Sequence, residues 1–574
     1  MTSRSLLAAF CAILSIAASL HADAQQIEPD AVTAPLCGMR TITRTDIDAA
    51  LRRTREQDPA LYRAMSAAVG KQKAHIDGAV GQEQMFWVLN NTTGSFQSKQ
   101  AILSFEGHLC RIWVDVADTA RLRPTSTTMR ALARAIDTAT SSRSRNPAQG
   151  ILQNDIDVFG STPRTFERDG KTDFFLFDIP DASVLGYFFP YDQEAETGSN
   201  QMNLLYIDSK EALATTSSLY NTIGHEFQHL IHYAYNKSSE LFFNEGCSEV
   251  AGLLCGYVDR YNTDYFSNTN VDLLAFPTEG PEFITSYERA YTFMWFLYEQ
   301  YGEAFLTQTV LSTTNGMSRL NAALVKAGFP ATEHNAKLVL RHFAVANYLQ
   351  TSDSLQYGYR TRITRSSSVR PKQLSTTTGS GYPQSGAIKL QRYGIAYTTY
   401  NSPGVLRILP TGTREFALMA MLYTGSNVEV RELTPGIVNI LSTGGAGYDK
   451  IVLAYVNLTS IVNDITLNLI SSTVGVDDAA ESVAAAGSAI VEIAPMPAAS
   501  GSTASAAIRT SGGSAVSLEL YDTQGRLLRS YLDHQTFGAG EHRVALDLDG
   551  LDAGMYFLRM LDGEKMSMMR MVVR

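Results

Sequence analysis

Before about residue 371, apolar runs of strand length alternate with longer segments whose apolar positions recur three and four apart. Met85-Phe86-Trp87-Val88-Leu89, Leu109 to Val114, Lys171 to Asp178 and Asn203 to Asp208 are short, apolar and rich in aromatic or β-branched residues, and they predict strands. Asp46 to Gly70, Thr127 to Thr138, the Ile223/Phe227/Leu230/Ile231 set, Leu241 to Leu254 and most of 283 to 350 carry helical spacing. From 371 the texture changes. A Ser/Thr/Gly-rich stretch, Ser375 to Ser385, gives way to short strand-like runs at 387–390, 428–430 and 451–456. An Ala/Ser/Gly-rich linker covers about 474–489. The remainder shows a strand at Leu518 to Tyr521, with turns at Asp522 to Arg526, Gly538 to His542 and Asp549-Gly550. The pattern predicts an α+β body followed by β-sandwich domains.

Chemistry concentrates at 221 to 249, NTIGHEFQHLIHYAYNKSSELFFNEGCSE. His225 and His229 are four apart, so on a helix they lie on one face, one turn apart, and can aim two imidazoles at one metal ion. Zinc accepts imidazole nitrogen and carboxylate oxygen, and catalytic zinc sites commonly use three protein ligands plus water. Glu245, on the second helix-like segment, supplies the third ligand. Glu226 stands beside the first His, placed to take a proton from a metal-bound water. Glu249, four residues after Glu245, suits a carboxylate that hydrogen-bonds the free ring nitrogen of a ligating His. Cys247 points about 160° away from both glutamates on that helix and is rejected as a ligand. His232 lies about 10.5 Å along the axis from His225, too far to share its ion, and is expected at the surface or behind a ligand. No HExxHxxGxxH spacing occurs, which excludes a metzincin.

HEFQH followed by NEGCSE resembles the gluzincin metallopeptidases, most nearly the hyicolysin-type secreted enzymes. The resemblance implies a zincin-like catalytic domain with Zn2+ on His225, His229 and Glu245, Glu226 as general base and Glu249 behind a ligand. Strands ahead of the zinc helix suit the upper sheet of such domains, whose edge strand aligns peptide substrates by main-chain hydrogen bonds. Downstream, Ser286-Tyr287-Glu288-Arg289-Ala290 is similar to the YEKG segment of aminopeptidase-type gluzincins, with Arg and Ala in place of Lys and Gly. The resemblance makes Tyr287 the candidate donor to the oxyanion. Tyr291, one turn later, is the physical alternative. No GxMEN-like exopeptidase motif precedes the zinc helix, which disfavours an aminopeptidase.

Composition narrows the setting. Apolar residues make up 45% and charged residues 18% of 574, so the chain can build large cores. A net charge of −10 with no Lys/Arg cluster argues against nucleic acid as a partner. Arg4, the apolar run Leu6 to Leu20 and Ala22-Asp23-Ala24 predict a signal peptide over 1–24, too short for an anchor, and no later stretch is long and apolar enough to span a membrane. Cys37 and Cys110 are a candidate bridge in an oxidising compartment. Cys247 and Cys255 would lie about 12 Å apart on a continuous helix, too far to bridge. Asp169 and Asp173 offer too few oxygens for calcium and fit a turn better.

The C-terminal unit resembles the sorting domains of type IX secretion systems, through the YDTQGR turn at Tyr521 to Arg526, LDAGMYFLR at Leu551 to Arg559 and the terminal Met571-Val572-Val573-Arg574. Ala494-Pro495-Met496-Pro497 stands where such domains open with Pro-Asn-Pro. The expected division is a signal peptide (1–24), an N-terminal β-rich or propeptide region (25–120), a zincin-like domain (121–370), a β-sandwich (371–473), a linker (474–489) and a sorting domain (490–574). The function expected is a secreted zinc endopeptidase acting on protein or peptide substrates and exported by type IX machinery. The rival is an adhesive or glycan-binding surface protein with an inactive zincin domain. The intact Glu226 weighs against it, since an inactive domain needs no base there.

Overall fold

The computed structural model describes residues 42–71, 79–166, 169–181, 184–214, 217–257, 264–278, 280–352, 356–361, 369–378, 386–404, 406–436, 439–441, 448–471, 488–513, 515–522, 526–563 and 565–574. The signal peptide and Cys37 lie outside them, as do the middle of the Tyr521 to Arg526 turn and the linker between the two C-terminal β regions. The chain divides into two units, 1–264 with 275–336, and 265–274 with 337–362 and 366–574.

The first unit begins with α1 (Arg44–Gln57), started by a reciprocal Thr43–Asp46 capping box, and α2 (Pro59–Ala68), capped by Asp58 with Pro59 in its first turn. Strands β1 (Glu83–Asn90), β2 (Ser95–Glu106) and β3 (Cys110–Asp115) follow, then α3 (Thr127–Asp137) and α4 (Ile151–Phe159). Next come β4 (Thr172–Phe177), β5 (Gly186–Phe188) and β6 (Leu204–Asp208). Helices α5 (Ser209–Ala214), α6 (Ser217–Tyr235), α7 (Leu241–Leu254), α8 (Glu282–Leu311) and α9 (Gly316–Lys326) complete it. Helix α8 is broken at Gly302, whose φ of 74° is a left-handed conformation that favours glycine.

One six-stranded sheet runs β1-β2-β3-β4-β6-β5. β3, β4 and β6 are parallel neighbours, buried at every residue, as strands covered on both faces should be. β1, β2 and the edge strand β5 are antiparallel to their neighbours. The N-terminal region set apart in the sequence reading therefore contains three strands of the same sheet. Its aromatics belong to one core: Phe86 stacks on Phe175 at 4.5 Å, Phe175 on Phe177 at 5.1 Å, and Trp113 meets Phe86 edge-on. Ile47, Ala50 and Met65 from α1 and α2 are buried in that core. The partner of Trp113 Nε1–H is Asp173 Oδ1 at 2.7 Å, so Asp173 serves the sheet. Asp169 pairs with Arg111.

The second unit takes in α10 (Ala336–Leu349) almost whole, which moves the expected boundary at 370 back to about 336. The physical reason is contact with the first sandwich, where Tyr397 donates to the Ala344 carbonyl at 2.7 Å. That sandwich is built from β7 (Ser375–Thr378), β8 (Gly386–Leu390), β9 (Ile395–Gly404), β10 (Leu406–Gly412), β11 (Phe416–Thr424), β12 (Asn427–Leu433), β13 (Asn439–Leu441), β14 (Tyr448–Asn457) and β15 (Asn463–Ser471), in sheets β13-β10-β15-β8 and β12-β11-β14-β9-β7. Its core holds Leu418, Ala420, Leu422, Ile451, Leu453 and Tyr455, alternate residues of two paired strands. The C-terminal region has β16 (Ala489–Ala494), β17 (Thr503–Thr510), β18 (Ala515–Tyr521), β19 (Leu527–Thr536), β20 (Gly540–Asp547), β21 (Gly554–Asp562) and β22 (Lys565–Val573), in sheets β16-β17-β20 and β19-β18-β21-β22 around Ile508, Val516, Leu518, Leu520, Leu558 and Met560. The fold class is α+β with β-sandwich-like domains.

Candidate metal centre

Helix α6 is buried on nearly every face from Leu219 to His232, so it runs through the interior of its unit. It meets α7 where glycine faces glycine: a Cβ on Gly224 would lie 3.5 Å from the Gly252 Cα, and one on Gly252 would strike Asn221. Gly246 does the same between α7 and α8, since a Cβ there would fall 3.1 Å from the Ala290 carbonyl oxygen and nearer still to Met294. These close approaches draw the His pair of α6, the glutamates of α7 and the tyrosines of α8 together.

His225, His229 and Glu245 form one buried group able to hold a metal ion. Their ligand atoms make a nearly equilateral triangle. The two Nε2 atoms are 3.1 Å apart, and Glu245 Oε2 stands 3.3 Å from His225 Nε2 and 3.5 Å from His229 Nε2. Ligands about 2.05 Å from a tetrahedral ion stand about 3.3 Å from one another, so this donor set fits zinc in both spacing and chemistry. Glu245 Oε2 is buried and makes no hydrogen bond, as suits an atom reserved for a metal.

The surrounding groups fix tautomers. His229 Nδ1 lies 3.0 Å from Asn244 Oδ1 and 3.0 Å from Ser248 Oγ. Ser248 gives its own hydrogen to Gln228 Oε1 at 2.5 Å. Nδ1 of His229 therefore carries a hydrogen, and Nε2 is the ring nitrogen turned toward the triangle. His225 Nδ1 is 3.4 Å from Glu249 Oε1, which places Glu249 where the sequence reading put it. Burial depresses the His225 imidazole. Burial acts the same way on His229, but the Glu245 carboxylate outweighs it and holds that pKa at about 9. In return His229 holds Glu245 at about 2 against the upward push of burial.

Glu226 is buried beside the edge strand. The amide of Phe188 on β5 donates to Glu226 Oε2 at 2.9 Å. Asp208 N donates to Leu185 O, so in this antiparallel pair Phe188 turns its amide away from β6, toward the open edge. The Tyr287 ring centre lies 6.4 Å from that of His225, held edge-on by Phe276 and Phe283. Tyr291 stacks along Trp295 instead. Cys247 is buried and stands outside the ligand group, and Cys110 and Cys255 are also buried free thiols.

Of the two places expected for His232, at the surface or behind a ligand, the structure shows the second: it is wholly buried. Its Nδ1 faces Gln228 Nε2 at 3.5 Å, so it joins the chain of groups behind His229. Asn244 and Ser248 were missed as His229 partners. Both sit inside the NEGCSE run, four residues apart, so helical spacing puts the two on one face of α7, but which neighbour that face meets leaves no local mark.

Residues 492–574 match the model of the secretion system C-terminal sorting domain. That match makes the chain a secreted or cell-surface protein handled by type IX secretion machinery. Among the described residues no helix is long and apolar enough to cross a membrane. No curated protein matches the chain. Similar solved structures include an uncharacterized protein from Bacillus anthracis str. Ames, at 18% identity over 15% of this chain and 84% of that one, with a TM-score of 0.13. A mitogen from Yersinia pseudotuberculosis shares 12% identity over 16% and 88% of the two chains, with a TM-score of 0.14. A Faecalibacterium prausnitzii beta-glucuronidase shares 10% over 32% of this chain and 37% of its own, with a TM-score of 0.14. These overlaps are too slight to carry an argument about activity.

Proposed function

We propose that this protein is a secreted zinc-dependent endopeptidase. The carrying observation is the buried triangle of His225 Nε2, His229 Nε2 and Glu245 Oε2, with edges of 3.1, 3.3 and 3.5 Å. Those three residues would hold Zn2+, which when bound polarises a carbonyl and lowers the pKa of water. Glu226 follows the first ligand directly on α6, so its carboxylate is the group placed to take the proton of the attacking water and carry it to the leaving amine. The Phe188 amide holds that carboxylate through Oε2. The edge strand β5 lies beside it and can align an extended peptide by main-chain hydrogen bonds. Tyr287, nearer His225 than Tyr291 is shown to be, is the candidate donor to the oxyanion.

The test uses the full chain purified from a heterologous host. Casein hydrolysis should be abolished by a chelator and restored by zinc. Glu226→Gln should keep about one zinc per chain and lose about 10²–10⁴-fold in turnover, because an amide cannot accept the proton. His229→Ala should lose the metal by elemental analysis. Full zinc occupancy in His229→Ala, or wild-type turnover in Glu226→Gln, would overturn the assignment.

A further inference from the structure

Two groups compete for one amide. A peptide aligned along the β5 edge needs the Phe188 N–H, and the Glu226 carboxylate holds it through Oε2 at 2.9 Å. β5 ends its sheet, and among the described residues no strand lies on its other side. Asp208 N donates to Leu185 O at 2.8 Å, and the register runs on through Gly186 opposite Ile207, Tyr187 opposite Tyr206 and Phe188 opposite Leu205. Bonded and non-bonded residues alternate along an antiparallel pair. Tyr187 therefore turns its main chain toward Tyr206, while Gly186 and Phe188 turn theirs to the open side. A peptide that adds there as an antiparallel strand sets one residue opposite Phe188. That residue gives its carbonyl to the Phe188 N–H and its own N–H to the Phe188 carbonyl.

Glu226 thus occupies the place of a substrate carbonyl. Phe188 is only 2% exposed and Glu226 is fully buried, so a peptide carbonyl reaches that amide where the carboxylate gives way. Phe188 is the fixed partner of the two. Its strand is paired with β6, and its ring meets Tyr233 of α6 edge-on, with centres 5.8 Å apart. Glu226 is the partner that can turn, through its side-chain torsions. A base that takes a proton from water and carries it to the leaving amine has to turn between the two. A charge-assisted bond to a backbone amide restrains that motion.

We propose that the Phe188 amide is a latch on Glu226 that a substrate strand opens, so that the substrates of this site are extended polypeptides rather than short peptides. The inference rests on the endopeptidase reading. Main-chain bonds along β5, away from the cleaved bond, offset the loss of the bond between Glu226 and the amide. Binding energy used in this way appears in kcat. A peptide too short to span Gly186 to Phe188 leaves the base held.

The test uses the zinc-loaded full chain and a series of end-blocked peptides, from dipeptide to octapeptide, built around one cleaved bond. kcat should rise about 10–100-fold with length, the range set by one hydrogen bond to a charged group, while KM changes less. Phe188→Pro removes the N–H on the open side of an edge strand and should flatten that rise by speeding the short peptides. A second readout needs no turnover. Crystals with an octapeptide analogue whose scissile amide is replaced by a methyleneamine should show a peptide carbonyl on the Phe188 N–H and Glu226 turned away from it. An analogue seated beside β5 with Glu226 still on that amide overturns the latch. A kcat that stays flat with length while casein is cut also overturns it, and leaves the endopeptidase reading standing. If casein is left whole, that reading falls and the latch falls with it. Should Phe188→Pro fail to fold, the wild-type series and the crystals decide.

Discussion

The α6–α7 pair and the C-terminal sorting domain bury opposite kinds of residue. In the first, His225, Glu226, Gln228, His229, His232, Glu245, Ser248 and Glu249 are all buried, none more than 3% exposed. In the second, the core is Ile, Leu, Val, Ala and Met, while Met555, Met566, Met568 and Leu527 stand exposed. Burying polar side chains without partners destabilises a fold by roughly 1–3 kcal/mol for each neutral group and by more for charges. The α6–α7 pair offsets that cost with hydrogen bonds such as Ser248 to Gln228 and His229, and Phe188 N–H to Glu226. The sorting domain keeps its polar groups mostly in solvent and shows apolar side chains outward, so its work is done at its surface.

The largest expected effect separates the two ends of the chain. Deleting residues 25 to 120 removes β1, β2 and β3 and with them Phe86 and Trp113 from the sheet core. β4 would then expose its full edge, and the chain should fail to fold, read as loss of soluble, cooperatively melting protein. Deleting 490 to 574 should leave casein hydrolysis intact in a heterologous host and stop export in the native one. A stable, active enzyme after the first deletion would mark 25–120 as a dispensable propeptide. Lost activity with continued export after the second would make the sorting domain part of the enzyme.

Much of the candidate His/Glu cluster was legible because helical spacing dictates direction: His225 and His229 at i, i+4, and Glu245 and Glu249 at i, i+4, each pair sharing one helix face. The sandwiches were legible as strand runs between polar linkers. The union of β3 with β4 was not, because the parallel pairing of 110–114 with 172–176 is long-range and leaves no local mark. Helix α10 looked like a continuation of the helical region, but its contacts with the sandwich, Tyr397 to Ala344 and Arg341 to Glu432 among them, place it in the second unit.

Smaller effects sharpen the picture of the buried set. Tyr287→Phe should lower kcat by about 10²–10³ with little change in KM, the loss expected when an oxyanion donor is removed. Tyr291→Phe should not, and an equal loss there would move the role one turn along α8. Ser248→Ala should weaken zinc binding by about 10-fold or more, because the His229 orientation loses one of its two Nδ1 partners. Competition with a chromogenic chelator measures this directly. Unchanged affinity would mean that Asn244 alone suffices.

The smallest effect lies one layer further from the His/Glu cluster. Asp155 on α4 is fully buried, accepts from the Cys255 thiol at 3.7 Å through Oδ1, and has no partner on Oδ2. Burial raises its pKa well above the ordinary carboxylate range. The folded chain therefore keeps a proton that the unfolded chain, with Asp near about 3.9, has released. Between those two pKa values the unfolded state binds fewer protons, so stability falls as pH rises. Asp155→Asn places a neutral amide of the same shape there and removes that dependence. Its Tm should match the wild type near pH 4 and exceed it by about a few degrees at pH 8, followed by calorimetry across that range. A difference that stays constant with pH would show that Asp155 is already ionised in the folded protein. The buried polar set of the first unit would then end at α6 and α7.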